Sequence, residues 1–204
     1  MFHLLHRALR AYLHLYYRMK CALLTFVVGE EALAYVLHAS LLPLIVLRIG
    51  KAKIGKNVRV GRWLTLHESK GTFKNLEIGD DVFIGKSVLI DLSDNVKVGN
   101  RCGIGMNVTI ITHLNFGPSK LSAEFPTSKA PVEILEDSVI NWGCIVLKGT
   151  RIRREVIILP GSVVSGALKE ASTYGGNPAR LIPRISSQSG SSSDALARTA
   201  EHGE

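Results

Sequence analysis

The 204-residue sequence predicts an all-β chain wound as a parallel β-helix, with a helical segment before it and a disordered tail after it. The first observation behind this is a repeat of six residues. Stepping by six from Ile54 gives Val60 and Leu66, then a break at Thr72, then Ile78, Ile84 and Ile90. A two-residue insertion shifts the phase to Val98, Ile104 and Ile110, and a longer interruption shifts it to Ile134, from which it runs unbroken to Val164. All fifteen positions are Ile, Val or Leu. Second, Gly follows the aliphatic at 55, 61, 79, 85, 99 and 105. Third, four residues after the aliphatic stands another inward position, usually small or β-branched, as at Val58, Val82, Cys102, Ser138, Thr150, Ser162 and, by the same count, Leu168.

A period of six suits neither an amphipathic helix nor a coiled coil. Alternation within each hexad allows short strands, and the glycines are expected to supply corners of positive φ. Three hexads close one triangular coil, so the stretch holds about five to six coils and, at roughly 4.8 Å per coil, rises on the order of 25 Å. A sandwich with glycine turns would need strands about 8 to 12 residues apart, not a strict six.

Residues 1–50 differ in kind. Met1 to Lys20 reads as a basic amphipathic helix, with Phe2, Leu5, Leu9, Tyr12, Leu13 and Tyr16 at helical spacing. Ala32 to Leu47 carries no Asp, Glu, Lys or Arg, but its 16 residues fall short of a membrane span and Pro43 interrupts them. Two roles are open to this segment, and they are compatible: a cap over the exposed first coil, or a peripheral contact with a membrane surface. The β-helix occupies 51–185, interrupted by a loop at 114–131. Residues 186–204, rich in Ser and poor in apolar types, read as a disordered tail.

Apolar types make up 46% of the chain and charged types 21%, which excludes a wholly disordered or collagen-like chain. A net charge of +8 favours anionic partners without naming one. Cys21, Cys102 and Cys144 form no CxxC pair, so neither a disulfide framework nor a structural zinc site is expected, and a reducing compartment is. Cys102 and Cys144 fall on inward positions and read as core.

The segments IGKNVRVG, IGDDVFIG, VGNRCGIGMNVTIITH, VLKGTRI and YGGNPARLI resemble the hexapeptide-repeat acyltransferases of the left-handed β-helix fold. Within that family the chain is most similar to the branch of maltose, galactoside and exopolysaccharide (colanic acid type) O-acetyltransferases. The resemblance runs from about Leu47 to Arg184, some two thirds of the chain. It implies left-handed winding, against the usual handedness of parallel crossovers. It also implies a homotrimer, acetyl-CoA as co-substrate and a saccharide acceptor. Beside it stand the expectations of a cytoplasmic location, peripheral at the inner face of the membrane if residues 1–50 contact it, and of no metal and no nucleic acid.

Of seven histidines only His67 and His113 lie in the repeat region. His113 stands at the root of the largest loop, where function concentrates. On position alone it is as well read as a structural residue as a general base, which at neutral pH would take the proton of a hydroxyl attacking a thioester. The resemblance matches it to the family's catalytic histidine, and backbone N–H groups would then steady the oxyanion. His67, at a polar corner, reads as structural. The resemblance also assigns CoA contacts to Trp142, Pro160, Ser165, Gly166 and Arg180. Trp142 and Pro160 stand where small residues are usual, and Gly166 where Lys is. For the acceptor, the position matching the family's Asn is Gly85. Asp91 is the candidate acceptor-binding carboxylate, or else orients His113, and Asp94 is the other nearby acid. Arg151, Arg153 and Arg154 form a basic corner, either a solvated face or a phosphate or glycan contact. The rival readings are acetylation of an antibiotic or other small hydroxyl compound, and a β-helix scaffold without catalysis. A gamma-class carbonic anhydrase would need three histidines on zinc, and the repeat region has two.

Overall fold

A computed structural model describes residues 2–29, 32–40 and 42–183. The tail expected at 186–204 lies outside the described residues. The repeat region winds into five complete coils and a partial sixth. Coil 1 holds β1 (Lys53–Ile54), β2 (Arg59–Val60) and β3 (Thr65–His67); coil 2 holds β4 (Leu76–Ile78), β5 (Phe83–Ile84) and β6 (Leu89–Asp91). Coil 3 holds β7 (Val96–Val98), β8 (Gly103–Ile104) and β9 (Thr109–Ile110). The loop then leaves the prism through a hairpin of β10 (His113–Leu114) and β11 (Ser128–Lys129). Coil 4 holds β12 (Val132–Ile134), β13 (Val139–Ile140) and β14 (Ile145–Val146); coil 5 holds β15 (Arg151–Ile152), β16 (Ile157–Ile158) and β17 (Val163–Val164). β18 (Ala167–Leu168) and β19 (Thr173–Gly175) make the partial sixth, and β20 (Arg180–Ile182) folds back antiparallel on β19.

Corresponding strands of successive coils stack in parallel register, giving three sheets. Sheet A begins at β1, sheet B at β2 and sheet C at β3. The repeated aliphatics fill the prism, with Ile84, Ile90, Ile104, Ile110 and Ile134 fully buried and Ile54 and Val60 partly so in the first coil. The second inward positions are buried as well. Their hydroxyls find backbone partners: Ser138 Oγ donates to Arg153 O in the next coil at 2.7 Å, and Ser162 Oγ to Leu159 O in its own corner at 2.6 Å. Burial pushes the Cys102 and Cys144 thiols up, which suits inert core residues. Leu168 departs from the count: it pairs with Ile152 on sheet A, so it takes the first inward position of a shortened corner.

The glycine expectation is corrected. Positive φ falls not on the residue after the aliphatic but three residues after it, at Asn57, Asp81, Ser87, Arg101, Asn107 and Asp137 and at Gly143 and Gly161. From coil 2 onward the left-handed backbone there points the N–H along the prism axis to the coil before, as from Asp81 N to Lys56 O at 2.9 Å and from Asn107 N to Lys86 O at 3.0 Å. The glycine after the aliphatic answers to close stacking instead. A Cβ on Gly61 would lie 2.7 Å from the Gly85 backbone, and one on Gly85 would lie 2.7 Å from Met106 N.

Ahead of the prism lie three helices. α1 (Phe2–Val28) runs beyond Lys20 because nothing breaks it before Gly29. α2 (Ala32–His38) and α3 (Pro43–Ile49) divide the uncharged stretch, with Pro43 opening the second helix. α3 packs on β1 and β2 and α2 on β3, so the two short helices cover the open end of coil 1. His38 Nδ1 meets Thr65 Oγ1 at 2.9 Å, and Phe73 N donates to Gly50 O at 2.6 Å. α1 lies outside them, and among the described residues no helix is long and apolar enough to cross a membrane.

Candidate active site

All departures from six-residue spacing fall on one edge of the prism, the corner from sheet C to sheet A. Along it the inward aliphatics run Leu66 to Ile78, Ile90 to Val98, Ile110 to Ile134, Val146 to Ile152 and Val164 to Leu168. The other two edges keep a spacing of six throughout. Freed from the hexad there, the chain carries polar residues that a regular corner has no room for.

Asp91 ends β6 in that corner and is 2% exposed. Its Oδ2 accepts from His113 Nδ1 at 2.6 Å, Thr112 Oγ1 at 2.7 Å, Thr112 N at 2.7 Å and His113 N at 3.0 Å. Its Oδ1 accepts from Ser93 Oγ at 2.9 Å and Ser93 N at 3.1 Å. Burial alone would raise the carboxyl's pKa. The hydrogen bonds from His113, Thr112 and Ser93 outweigh burial and lower it to about 2, so Asp91 is ionised at neutral pH. Thr112 is fully buried, and its hydroxyl also accepts from Asp94 N at 3.1 Å.

An ionised carboxylate only accepts, so His113 Nδ1 carries hydrogen and Nε2 of the neutral ring is the lone-pair nitrogen. Ser93 Oγ lies 3.0 Å from the same Nδ1 and completes the cradle. The His113 side chain is 22% exposed, with its partner carboxylate beneath it. The loop root holds this geometry: His113 pairs with Lys129 across the hairpin, and Ala130 N donates to Thr112 O at 2.9 Å. Further out the loop braces itself through a 3₁₀ turn at Lys120–Ala123 and a Phe116–Phe125 contact, with ring centroids 5.5 Å apart.

Of the two roles expected for Asp91, acceptor contact or orienting His113, the geometry favours the second: the carboxylate is buried and both oxygens accept hydrogen bonds from its own chain. Sequence reasoning missed Ser93 and Thr112 and set His67 aside. His67 pairs in register with Asp91 one coil earlier, and its ring lies 6.1 Å from that of His113 with 27° between the planes. The signal for all three was the break in the repeat, which follows three hexads, after Leu66, Ile90 and Ile110.

The expected donor residues lie along neighbouring edges. Trp142 and Pro160 occupy equivalent exposed corners between sheets B and C in coils 4 and 5, linked by Gly161 N to Trp142 O at 2.9 Å. The Trp142 ring overlies Gly105, where a Cβ would fall 2.6 Å from its Cδ1. This glycine makes room for the large side chain. Ser165 and Gly166 stand on the His113 edge, two coils further on and so about 10 Å along it. Arg180 is exposed at the start of the closing hairpin, opposite Gly175. Gly85 is held by stacking and offers no side chain to an acceptor. At the basic corner Arg151 meets Glu133 at 3.2 Å, Arg154 meets Glu136 at 2.7 Å, and Arg153 donates to Lys169 O at 3.0 Å. Partners within the chain thus occupy it. Among the described residues no group of three or more His, Cys, Asp or Glu could hold a metal ion.

No family model matches the chain. A serine acetyltransferase of Bacillus licheniformis is 32% identical over 112 residues, covering 54% of this chain and 49% of that protein. A probable serine acetyltransferase of Oryza sativa subsp. japonica is 33% identical over 99 residues, covering 48% of this chain and 31% of that one. The chain therefore spans about half or less of the curated relatives it matches. Among solved structures, a hexapeptide-repeat acetyltransferase of Vibrio cholerae O1 biovar eltor, complexed with acetyl coenzyme A, superposes with a TM-score of 0.66 at 21% identity, over 76% of this chain and 84% of that one. A maltose O-acetyltransferase of Clostridium difficile 630 gives 0.65 at 23% identity, over 75% and 82%. A galactoside acetyltransferase in complex with coenzyme A gives 0.65 at 21%, over 76% and 78%. This likeness shows the fold, a left-handed parallel β-helix of about six turns.

Proposed function

We propose that this chain is an acetyl-CoA-dependent O-acetyltransferase acting on a saccharide hydroxyl, of an envelope or exopolysaccharide glycan or its precursor, in the cytoplasm and as a homotrimer. The observation that carries this reading is the His113 ring at a loop root, its Nδ1 held 2.6 Å from the buried, ionised Asp91. That arrangement turns the lone pair of Nε2 outward as a general base. The base takes the acceptor's hydroxyl proton as its oxygen forms a bond to the thioester carbonyl carbon. The carbon–sulfur bond then breaks, and the imidazolium returns the proton to the leaving thiolate, giving an acetyl ester and CoA. Asp91 is the positioning residue: it fixes the tautomer and opposes the imidazolium charge. His67, on the same edge, is proposed to line the acceptor side.

For the donor, Ser165 and Gly166 lie along the His113 edge, while Trp142, Pro160 and Arg180 offer exposed surface and a guanidinium for phosphate. The coenzyme A in the similar structures supports this assignment. The trimer is supported by a difference between faces. Outward residues of sheet A are Lys53, Glu77, Lys97, Glu133 and Arg151, whereas sheet B turns out Phe83, Val139 and Ile157, each more than a third exposed. Such apolar surface suits contact between subunits.

A second reading, a small hydroxyl compound as acceptor, is favoured by the similarity to serine acetyltransferases. Calorimetry with acetyl-CoA tests the donor site. Micromolar binding weakened about tenfold by Arg180→Ala is expected from losing a charge-assisted contact, and no binding at millimolar donor would overturn the proposal. CoA release with a panel of oligosaccharides and small hydroxyl compounds then separates the two acceptors.

A further inference from the structure

We infer that α1 is a docking surface for an anionic lipid bilayer, lying flat on it with the coil 1 end of the prism towards the membrane. One side of α1 faces the protein, where Tyr17 and Cys21 are buried and Leu24 partly so. A second side carries Leu9, Tyr12, Tyr16, Met19, Leu23 and Phe26, with exposures from 49% at Tyr16 to 91% at Phe26. Their spacing of three and four residues sets them on one line about 25 Å long. An apolar stripe of that length left in water marks an interaction surface.

Charge decides the occupant. α1 contains no Asp or Glu, but it has Arg7, Arg10, Arg18 and Lys20 and three histidines, with Arg7, Arg18 and Lys20 exposed. A second copy of α1 laid on the stripe would bring like charges together with no acid in either helix to pair them. A bilayer with anionic headgroups supplies both what the stripe needs and what the cations need. Tyr12 and Tyr16 suit the boundary, with ring in the acyl region and hydroxyl among headgroups. The helix lies on the surface because its inner side is committed to the capping helices, and no described helix can span.

This inference stands apart from the acyl-transfer reading, since lipid binding needs neither donor nor acceptor. If both hold, His113 works two coils from the capped end, about 10 Å away, within reach of a saccharide carried on a lipid.

The test is flotation of the full chain with phosphatidylcholine vesicles, with and without phosphatidylglycerol, alongside sedimentation velocity without lipid. Binding at least about tenfold stronger to the phosphatidylglycerol vesicles, and suppressed by high salt, is expected. Tyr16→Glu/Leu23→Glu should abolish it. Arg7→Gln/Arg18→Gln, which leaves the stripe intact, should remove only the preference for anionic lipid. Circular dichroism establishes that each variant is folded. No flotation of the wild-type chain with any vesicle would overturn the proposal. So would a lipid-independent assembly that falls apart in the Leu23 variant, which would make the stripe a seam between copies.

Discussion

Two kinds of edge run along this prism. The edges joining sheets A to B and B to C keep six-residue spacing through every coil, and their corners are stitched by backbone hydrogen bonds and close-packed glycines. The edge joining C to A keeps that spacing at only one corner, between coils 4 and 5, and it holds Asp91, Ser93, Thr112, His113 and His67. A corner repeated without change can satisfy its backbone, but it has no spare residue with which to bury a carboxylate or lift a histidine. Regular edges supply the rigidity, and the irregular one spends it on a site.

Substitutions on the two kinds of edge should therefore separate activity from stability. The largest effect is expected at the irregular edge: His113→Ala should lower turnover on the order of 10²–10⁴-fold while acetyl-CoA affinity, read by calorimetry, stays near wild type. Asp91→Asn should cost on the order of 10–10²-fold in kcat, since the ring keeps its place but loses its charge partner. The same variant tests a pH effect. The Asp91 pKa is lowered to about 2 in the folded chain, below the roughly 3.9 of an unfolded Asp, so its stabilisation is fully present above about pH 4 and is lost as pH falls through about 2. Thermal denaturation followed by circular dichroism should show a fall in Tm across that window in the wild type, and a shallower one in Asp91→Asn.

On a regular edge the pattern should invert. Gly85→Ala places a Cβ against the Met106 backbone, which cannot swing aside, and should destabilise by about 1–3 kcal/mol in urea titrations. The fraction that folds should keep its turnover, and a specific loss of kcat without loss of stability would break the contrast. Smallest of all, Arg153→Gln should change stability by less than about 0.5 kcal/mol and leave acetyl-CoA affinity unchanged. A marked loss of donor affinity there would revive the basic corner as a phosphate contact.

Periodicity made the fold legible. Fifteen aliphatics at six-residue spacing within each run, with small or β-branched residues four places on, are buried together by coils of three short strands. His113 was legible as a loop-root residue, whereas Ser93 and Thr112 looked like any polar residues near a turn. Their significance comes from distances of 2.7 to 3.1 Å across coils that are about twenty residues apart in sequence, Thr112 to Asp91 and Asp94 and Ser93 to His113. Glycine misled in part, because a glycine demanded by close approach and one demanded by positive φ look alike in sequence.

By itself, then, the sequence determined the prism, its coil count, its interruptions and the histidine beside the largest of them, because burial of a repeated apolar pattern is a local and additive demand. Tertiary structure alone decided that every interruption shares one edge, that Asp91 is buried beneath His113 with both oxygens hydrogen-bonded by its own chain, and that one line of α1 stays uncovered. Those facts depend on which coil stacks on which. Hydrogen-bond geometry and solvent exposure are properties of neighbours in space, and spacing along the chain does not carry them.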